Sequence, residues 1–291
     1  MNGALTVDAL SVGALTVDLH THSNCSDGSL CPADLVARAS AAGIHVLALT
    51  DHDTVAGLDD AQRAAGDHGL QFVPGVEISA SWRGQAIHVL GLWIDPSSPA
   101  LRASLGRQAE LRRDRMARIC ARLTKLRLPG DELLAAVREQ PGLPTRAHLA
   151  QALVCGGHVD SLDAAFRKFL GNGKAAHVAA EWPALALVVG WICSCGGIAA
   201  LAHPMRYSIS SGARKRLLED FAAAGGTALE VVTGANGAQH ADTCAVLASS
   251  FGLCGSVGSD FHNPQAAWNP LGRSLKLPDC VTPVWRGYCR E

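Results

Sequence analysis

Apolar and polar positions alternate in two rhythms along this chain. Short apolar runs, "ALTVDLH", "IHVLALTDH", "LQFVPGVEIS" and "AIHVLGLWI", carry the β-branched and aliphatic residues of buried strands. Between them, "PADLVARASAAG" and "TVAGLDDAQRAAGDHG" repeat apolar residues at helical spacing and stop at Gly; the first has Pro32 near its start. The alternation returns later in the chain. "GIAALAHP", "TALEVVT" and "LCGSVGSDFH" read as strands, separated by helices over "GARKRLLEDFAAAGG" and "GAQHADTCAVLASSFG". Seven strands with mostly helical crossovers predict an α/β fold on a parallel barrel or barrel-like sheet, because repeated βα units cover their strands on both faces.

Residues 95–178 break this rhythm. They read as helical throughout: one long helix over "RASLGRQAELRRDRMARICARLTKLRL", then "TRAHLAQALVCGG" and "SLDAAFRKFLGNG" with Thr145 and Ser161 as N-caps. The expected organisation is a discontinuous barrel domain, 1–94 and 179–291, with an inserted helical lid at 95–178. Charge follows the same division. The insert holds 14 Lys/Arg against 8 Asp/Glu, a net of +6, which leaves 11 against 18, or −7, for the remainder. A basic lid over an acidic barrel suits a phosphorylated substrate and cations beneath it. For most of the arginines in "RRDRMAR" the alternative is the solvated face of a long helix.

Composition adds bounds. Among 291 residues, 48% are hydrophobic and 18% charged. No uninterrupted apolar stretch reaches the roughly 18 residues of a membrane helix, so a membrane partner is not expected. The segment "GALTVD" at 3–8 recurs at 13–18; the second copy reads as the first strand and residues 1–13 as an N-terminal extension without signal-peptide character. Ten cysteines without regular spacing read as reduced thiols of a cytoplasmic protein, with Cys193 and Cys195 as packing residues. No stable protein partner is expected, and the chain reads as a monomer.

In an extended chain alternate side chains share a face, so Asp18, His20 and His22 point one way, opposite Val17 and Leu19. Histidine at a strand end is common for other reasons, and this pair alone leaves open whether it binds a metal. The later strands change that. At or beyond their ends stand His52 between Asp51 and Asp53, Glu77, His203, and Asp260 with His262, while His88 lies inside its strand. Successive strand ends of a parallel barrel converge on one mouth. There His20, His22, Asp27, His52, Glu77, His88, His203, Asp260 and His262 would meet, and burying three carboxylates among neutral imidazoles without cations would be costly. Two or three divalent ions resolve this, with mixed ligation that suits Mn²⁺, Zn²⁺ or Fe²⁺.

The blocks "DLHTHSNCSDG", "TDHDT", "PGVEIS", "IHVLG", "AHP" and "GSDFH", in this order, resemble the PHP (polymerase and histidinol phosphatase) phosphoesterases. The insertion containing "FLGNGKAAHV" is similar to that of the TrpH-like subgroup, whose relatives are nucleoside 3',5'-bisphosphate phosphatases and 5'-to-3' exoribonucleases. The resemblance implies a distorted seven-stranded (β/α)7 TIM-like barrel holding three metals. His20, His22, Glu77 and Asp260 would hold the first, Asp27, His52 and His262 the second, and Glu77, His88 and His203 the third. Asp27 stands where many members have His, a harder ligand that favours Mn²⁺ or Mg²⁺ there over Zn²⁺. Mn²⁺ is the favoured ion.

The implied activity is hydrolysis of a phosphate monoester of a small nucleotide by a metal-bridging hydroxide, above all the 3'-phosphate of nucleoside 3',5'-bisphosphates. The alternative is 5'-to-3' exoribonuclease action on a short 5'-phosphorylated oligonucleotide with the same site. Histidinol-phosphate phosphatase activity and a non-catalytic metal-binding or polymerase-associated module rank below these. The resemblance points to Arg146, Lys174 and Arg206 for substrate phosphates. His148 stands near the same helix N-terminus as Arg146, and His177 closes the loop of Lys174. His45, His68, His158 and His240 read as surface or locally bonded residues. Trp268 reads as packing, and with 5% aromatic residues an extended base-stacking platform is not expected.

Overall fold

The computed structural model describes residues 15–234, 239–266, 269–272 and 275–287. The expected extension at 1–13 and Trp268 lie outside these. In chain order the elements are β1 (Val17–Asp18), α1 (Pro32–Ala41), β2 (Val46–Leu49), α2 (Leu58–His68), β3 (Gln71–Trp82), β4 (Gln85–Leu92), α3 (Pro99–Lys125), α4 (Gly130–Glu139), α5 (Arg146–Cys155), α6 (Leu162–Ala165), α7 (Leu185–Ser194), β5 (Ile198–Leu201), α8 (Ser211–Ala223), β6 (Ala228–Thr233), α9 (Ala241–Ser250) and β7 (Cys254–Gly258). A π-helical turn, Phe166–Leu170, continues α6, and a 3-10 turn covers Val284–Gly287.

The seven strands form one sheet in the order β1 to β7. Beyond the ladder, Leu19 N donates to Val257 O (2.9 Å), Asp260 N donates to His20 O (2.7 Å), and Thr21 bridges Phe261, so the sheet is a nearly closed barrel. Its wall is apolar: Leu47, Ala48, Leu49, Val76, Ile78, Leu90, Ala200, Leu229 and Val257 are fully buried.

One strand departs from the parallel expectation. β4 runs antiparallel to both β3 and β5. β3 and β4 are joined by Arg83 and Gly84 alone, both at positive φ (49° and 79°), the backbone of a tight hairpin that a helical crossover cannot replace. Hence His88 enters the mouth from mid-strand rather than from a strand end.

The insert has a core of its own, built from Met116, Ile119, Cys120, Leu123, Leu133, Leu149, Leu153 and Leu170 among others. Helix α3 contributes to both cores, with Leu101 and Leu105 packed in that of the barrel. Both expected N-caps form: Thr145 Oγ1 accepts from Ala147 N and His148 N, and Ser161 Oγ from Ala164 N. Cys193 is exposed and only Cys195 packs inside, since α7 turns the former outward.

Candidate metal centre

His20 and His22 follow β1 in an extended stretch, so both imidazoles face the barrel mouth. Their Nε2 atoms stand 3.0 Å apart. Glu77, buried in the middle of β3, places Oε2 3.3 Å from each, and Asp260 Oδ1 lies 3.2 Å and 3.1 Å from them. Four donor atoms thus surround one point. Edges of this length are what ligands about 2.0–2.2 Å from a shared cation would show.

A second group joins His22, Asp27, His52 and His262. Asp27 Oδ1 lies 3.2 Å from His262 Nε2 and 3.7 Å from His52 Nε2. The third brings together His52, Glu77 and His88, with His88 Nδ1 2.8 Å from Glu77 Oε1 and His52 Nδ1 2.9 Å from Glu77 Oε2. His203 reaches the same Oε1 at 2.9 Å through Nε2. All nine expected ligand residues therefore converge. The grouping differs in that two histidines are shared: His22 belongs to the second group as well as the first, and His52 turns one ring nitrogen toward Asp27 and the other toward Glu77, so it lies between the second and the third.

Imidazole protons and carboxylate charges offset one another within the cluster. Burial disfavours a charged His20, but Glu230, Glu77 and Asp260 outweigh this and hold its pKa well above the ordinary value. His22 is pushed down to about 3 by burial and by its neighbours His262 and His52. Burial also opposes the charge on Glu77, Asp27 and Asp260, yet the surrounding histidines hold all three carboxyls well below their usual range. Ionised carboxylates around imidazolium protons are a natural exchange site for metal cations.

The unsatisfied atoms agree. His22 Nδ1 and His203 Nδ1 are buried without a hydrogen-bond partner, and Asp27 Oδ1, His52 Nδ1 and Glu77 Oε2 face only other side chains of the cluster. Buried polar atoms are otherwise almost always paired. Divalent ions fit this donor set.

Two carboxylates outside the expected ligand set organise the cluster. Glu230 on β6 lies beside a register shift between Glu230 and Val232, and is wholly buried. Its Oε1 lies 2.9 Å from His20 Nδ1, and its Oε2 accepts from His203 N at 2.6 Å. Asp51, pushed up to about 6 by burial, accepts from Ser23 N, Ser23 Oγ and Ser26 Oγ at 2.6–2.8 Å. It thereby shapes the turn that carries Asp27. Of the six described non-glycine residues at positive φ, three belong to this region, Asp53, His203 and Asp260, so local strain is concentrated at the mouth.

The expected substrate contacts separate. Arg206 bonds Asp260 at the edge of the cluster. Arg146 donates to Leu170 O (3.2 Å) and Asn172 Oδ1 (3.4 Å) and lies over the Phe166 ring. It shares a small cavity with Arg112, Arg115 and Trp182. Arg115 is lowered to about 10 by burial and by the charges of Arg146, Arg112 and Arg118; Arg115, Arg146 and Arg122 lie near His177. His148 Nδ1 accepts from Thr145 N at 3.1 Å and its ring also bonds the backbone of Ser26, so it caps a helix and ties the insert to the Asp27 turn. Lys174 is exposed. Arg112 and Arg115 belong to the stretch that could be read as a solvated face; Arg112 is buried and Arg115 half-buried.

Residues 18–140 match the PHP domain. The chain is 43% identical over 275 residues to a 5'-3' exoribonuclease of Haemophilus influenzae, covering 93% of this chain and 98% of that protein. The chain belongs to the PHP family. It is likewise 40% identical over 272 residues to the 3',5'-nucleoside bisphosphate phosphatase of Chromobacterium violaceum, with 93% and 95% covered. Its fold superposes with a TM-score of 0.87, at 39% identity, on an amidohydrolase from Chromobacterium violaceum solved with bound sulfate and no metal, covering 94% of this chain and 95% of that one. PHP relatives include metal-dependent phosphoesterases. Among the described residues no helix is long and apolar enough to cross a membrane.

Proposed function

We propose that this chain removes the 3'-phosphate of nucleoside 3',5'-bisphosphates, giving nucleoside 5'-monophosphates, with two or three divalent ions, Mn²⁺ favoured. His20, His22, Glu77 and Asp260 would hold one ion, Asp27, His52 and His262 a second, and Glu77, His88 and His203 a third. The observation that supports it is the convergence of nine buried or half-buried His, Asp and Glu side chains into groups able to hold cations; Arg112, bonded to the Asp53 that follows His52, carries the arginine cavity of the insert toward them. Such ions acidify water and neutralise phosphate oxygens.

The chain's own residues do the rest. Glu77 divides its two oxygens between groups and so fixes their spacing. Asp51, through Ser23 and Ser26, presents Asp27. Arg206, which bonds Asp260, would turn to a phosphate oxygen once that carboxylate is engaged by an ion. Arg146, with Arg115 and His177 beside it, would take the second phosphate, and Lys174 would contribute only at the rim. The protein would act as a cytoplasmic monomer.

A second reading, 5'-to-3' exoribonuclease action on short RNA, is favoured by the relative from Haemophilus influenzae. Phosphate and nucleotide release are measured with Mn²⁺ on adenosine 3',5'-bisphosphate, histidinol phosphate and a 5'-phosphorylated RNA oligomer, against His22→Ala. Fastest turnover of the bisphosphate, abolished by the substitution, supports the first reading. Faster release from the oligomer selects the second, and no turnover of any of them by ion-loaded protein rejects both.

A further inference from the structure

Helix α3 belongs to two cores. On one stripe it places Leu101 and Leu105 in the barrel and Met116, Ile119 and Leu123 in the insert. Between them the same stripe continues through Gln108 and Arg112, which are polar yet 0% and 8% exposed. Apolar residues there would let the helix slide, since apolar contact has no direction. Instead both side chains converge on Asp53. Arg112 Nε donates to Asp53 Oδ2 at 2.6 Å and its Nη2 to Ser79 Oγ at 3.0 Å; Gln108 Nε2 donates to Asp53 Oδ1 at 3.1 Å and to Ser79 O at 2.7 Å. Gln108 Oε1 has no partner, so the amide is oriented by its two donated bonds alone.

Asp53 is tied equally firmly to the mouth. Its Oδ1 accepts from Ser79 N at 2.7 Å, its own N–H donates to Glu77 O at 2.9 Å, and it follows His52 directly in a left-handed conformation, φ 53°. One carboxylate therefore joins the His52 turn, the strand of Glu77 and the helix that leads into the insert. Arg112 also lines the cavity that holds Arg115 and Arg146.

We propose that Asp53 is a positioning residue that pins α3 where the two cores meet, and so sets where the insert's arginines stand relative to the donor cluster. Buried polar contacts of this kind specify register rather than add stability. The kinetic consequence rests on the phosphoesterase reading, whereas the pinning itself does not.

Asp53→Asn tests it. The amide can still accept at one position, but it leaves the Arg112 guanidinium without its anion. Backbone hydrogen exchange over residues 104–116 is expected to speed up about tenfold or more, while that of α8 stays unchanged. With Mn²⁺ bound, kcat/KM on adenosine 3',5'-bisphosphate should fall about tenfold, mainly through KM, with a much smaller change on p-nitrophenyl phosphate and equal ion content. Gln108→Leu should shift the same quantities in the same direction, and serves if the first variant does not fold. Unchanged exchange, an equal loss on both esters, or lost ion content with unchanged selectivity would overturn the proposal. A wild-type protein inactive on both esters would reject the phosphoesterase reading, while the exchange measurement would still decide the pin.

Discussion

Glu230 Oε1 lies 2.9 Å from Nδ1 of His20, on the side of the ring opposite the nitrogen that faces Asp260 and Glu77. That carboxylate fixes the orientation of His20 and would keep a proton on Nδ1 when Nε2 binds a cation, and its other oxygen holds the backbone of His203. Partners of this kind behind a metal-binding histidine typically contribute 10- to 100-fold in ion affinity. Glu230→Gln is therefore expected to keep the fold and weaken Mn²⁺ binding by about that factor, measured by titration calorimetry. Unaltered affinity would show that His20 is held by packing alone.

Close packing sets a second expectation. A Cβ at Gly258 would stand 2.2 Å from His20 Cβ and 2.8 Å from Glu230 Oε1. Gly258→Ala should displace His20, destabilise the protein by about 1–3 kcal/mol and lower Tm by several degrees. Loss of ion uptake should accompany it. A variant with native Tm and native ion content would contradict the geometry.

The cluster also dictates how the ion-free protein responds to pH. Burial works against a charged His262, but Asp27 and Asp260 outweigh it and hold the imidazolium up to about 10, against about 6.5 for an unfolded chain. A raised folded pKa stabilises fully below the unfolded value and is lost as pH rises through the folded one. Chelator-treated protein should thus lose stability between about pH 6.5 and 10, with a shallower slope in His262→Gln. Over the same range Mn²⁺ uptake should release protons and tighten as pH rises, because the ion must displace them. A flat Tm across this range, identical in the variant, would exclude His262 as the source.

The insert's cations are separable by placement. Arg146 is half-buried within an arginine group, while Lys174 is exposed. Arg146→Ala is expected to raise KM for the bisphosphate about tenfold with little change in kcat, and Lys174→Ala by less than about twofold. Equal effects would place the second phosphate elsewhere.

Much of the cluster was legible because its residues sit where strand periodicity gives them direction. His20 and His22 share a face by alternation, and Glu77, His203 and Asp260 stand at or after apolar runs. Glu230 was not legible: it is one acidic residue inside "ALEVVT", and only the register shift and the neighbouring strand bring it to His20. The reversed β4 was hidden for a related reason. Its apolar pattern is that of any buried strand, and direction is set by the Arg83–Gly84 turn rather than by the run itself. Arg112 looked like part of a solvated helix face because charge runs usually are; its burial follows from α3 spanning two cores, which depends on long-range packing.

Hydrolysis by this donor cluster should require that it be loaded with ions. Bound Mn²⁺ per chain is counted by elemental analysis during titration of chelator-treated protein, while phosphate release from adenosine 3',5'-bisphosphate is followed in parallel. Activity is expected to be absent at zero ions, to rise with occupancy and to saturate at two or three per chain, while His22→Ala binds fewer and stays inactive. Full turnover by ion-free protein, or saturated binding of ions with no turnover of this ester, would contradict it.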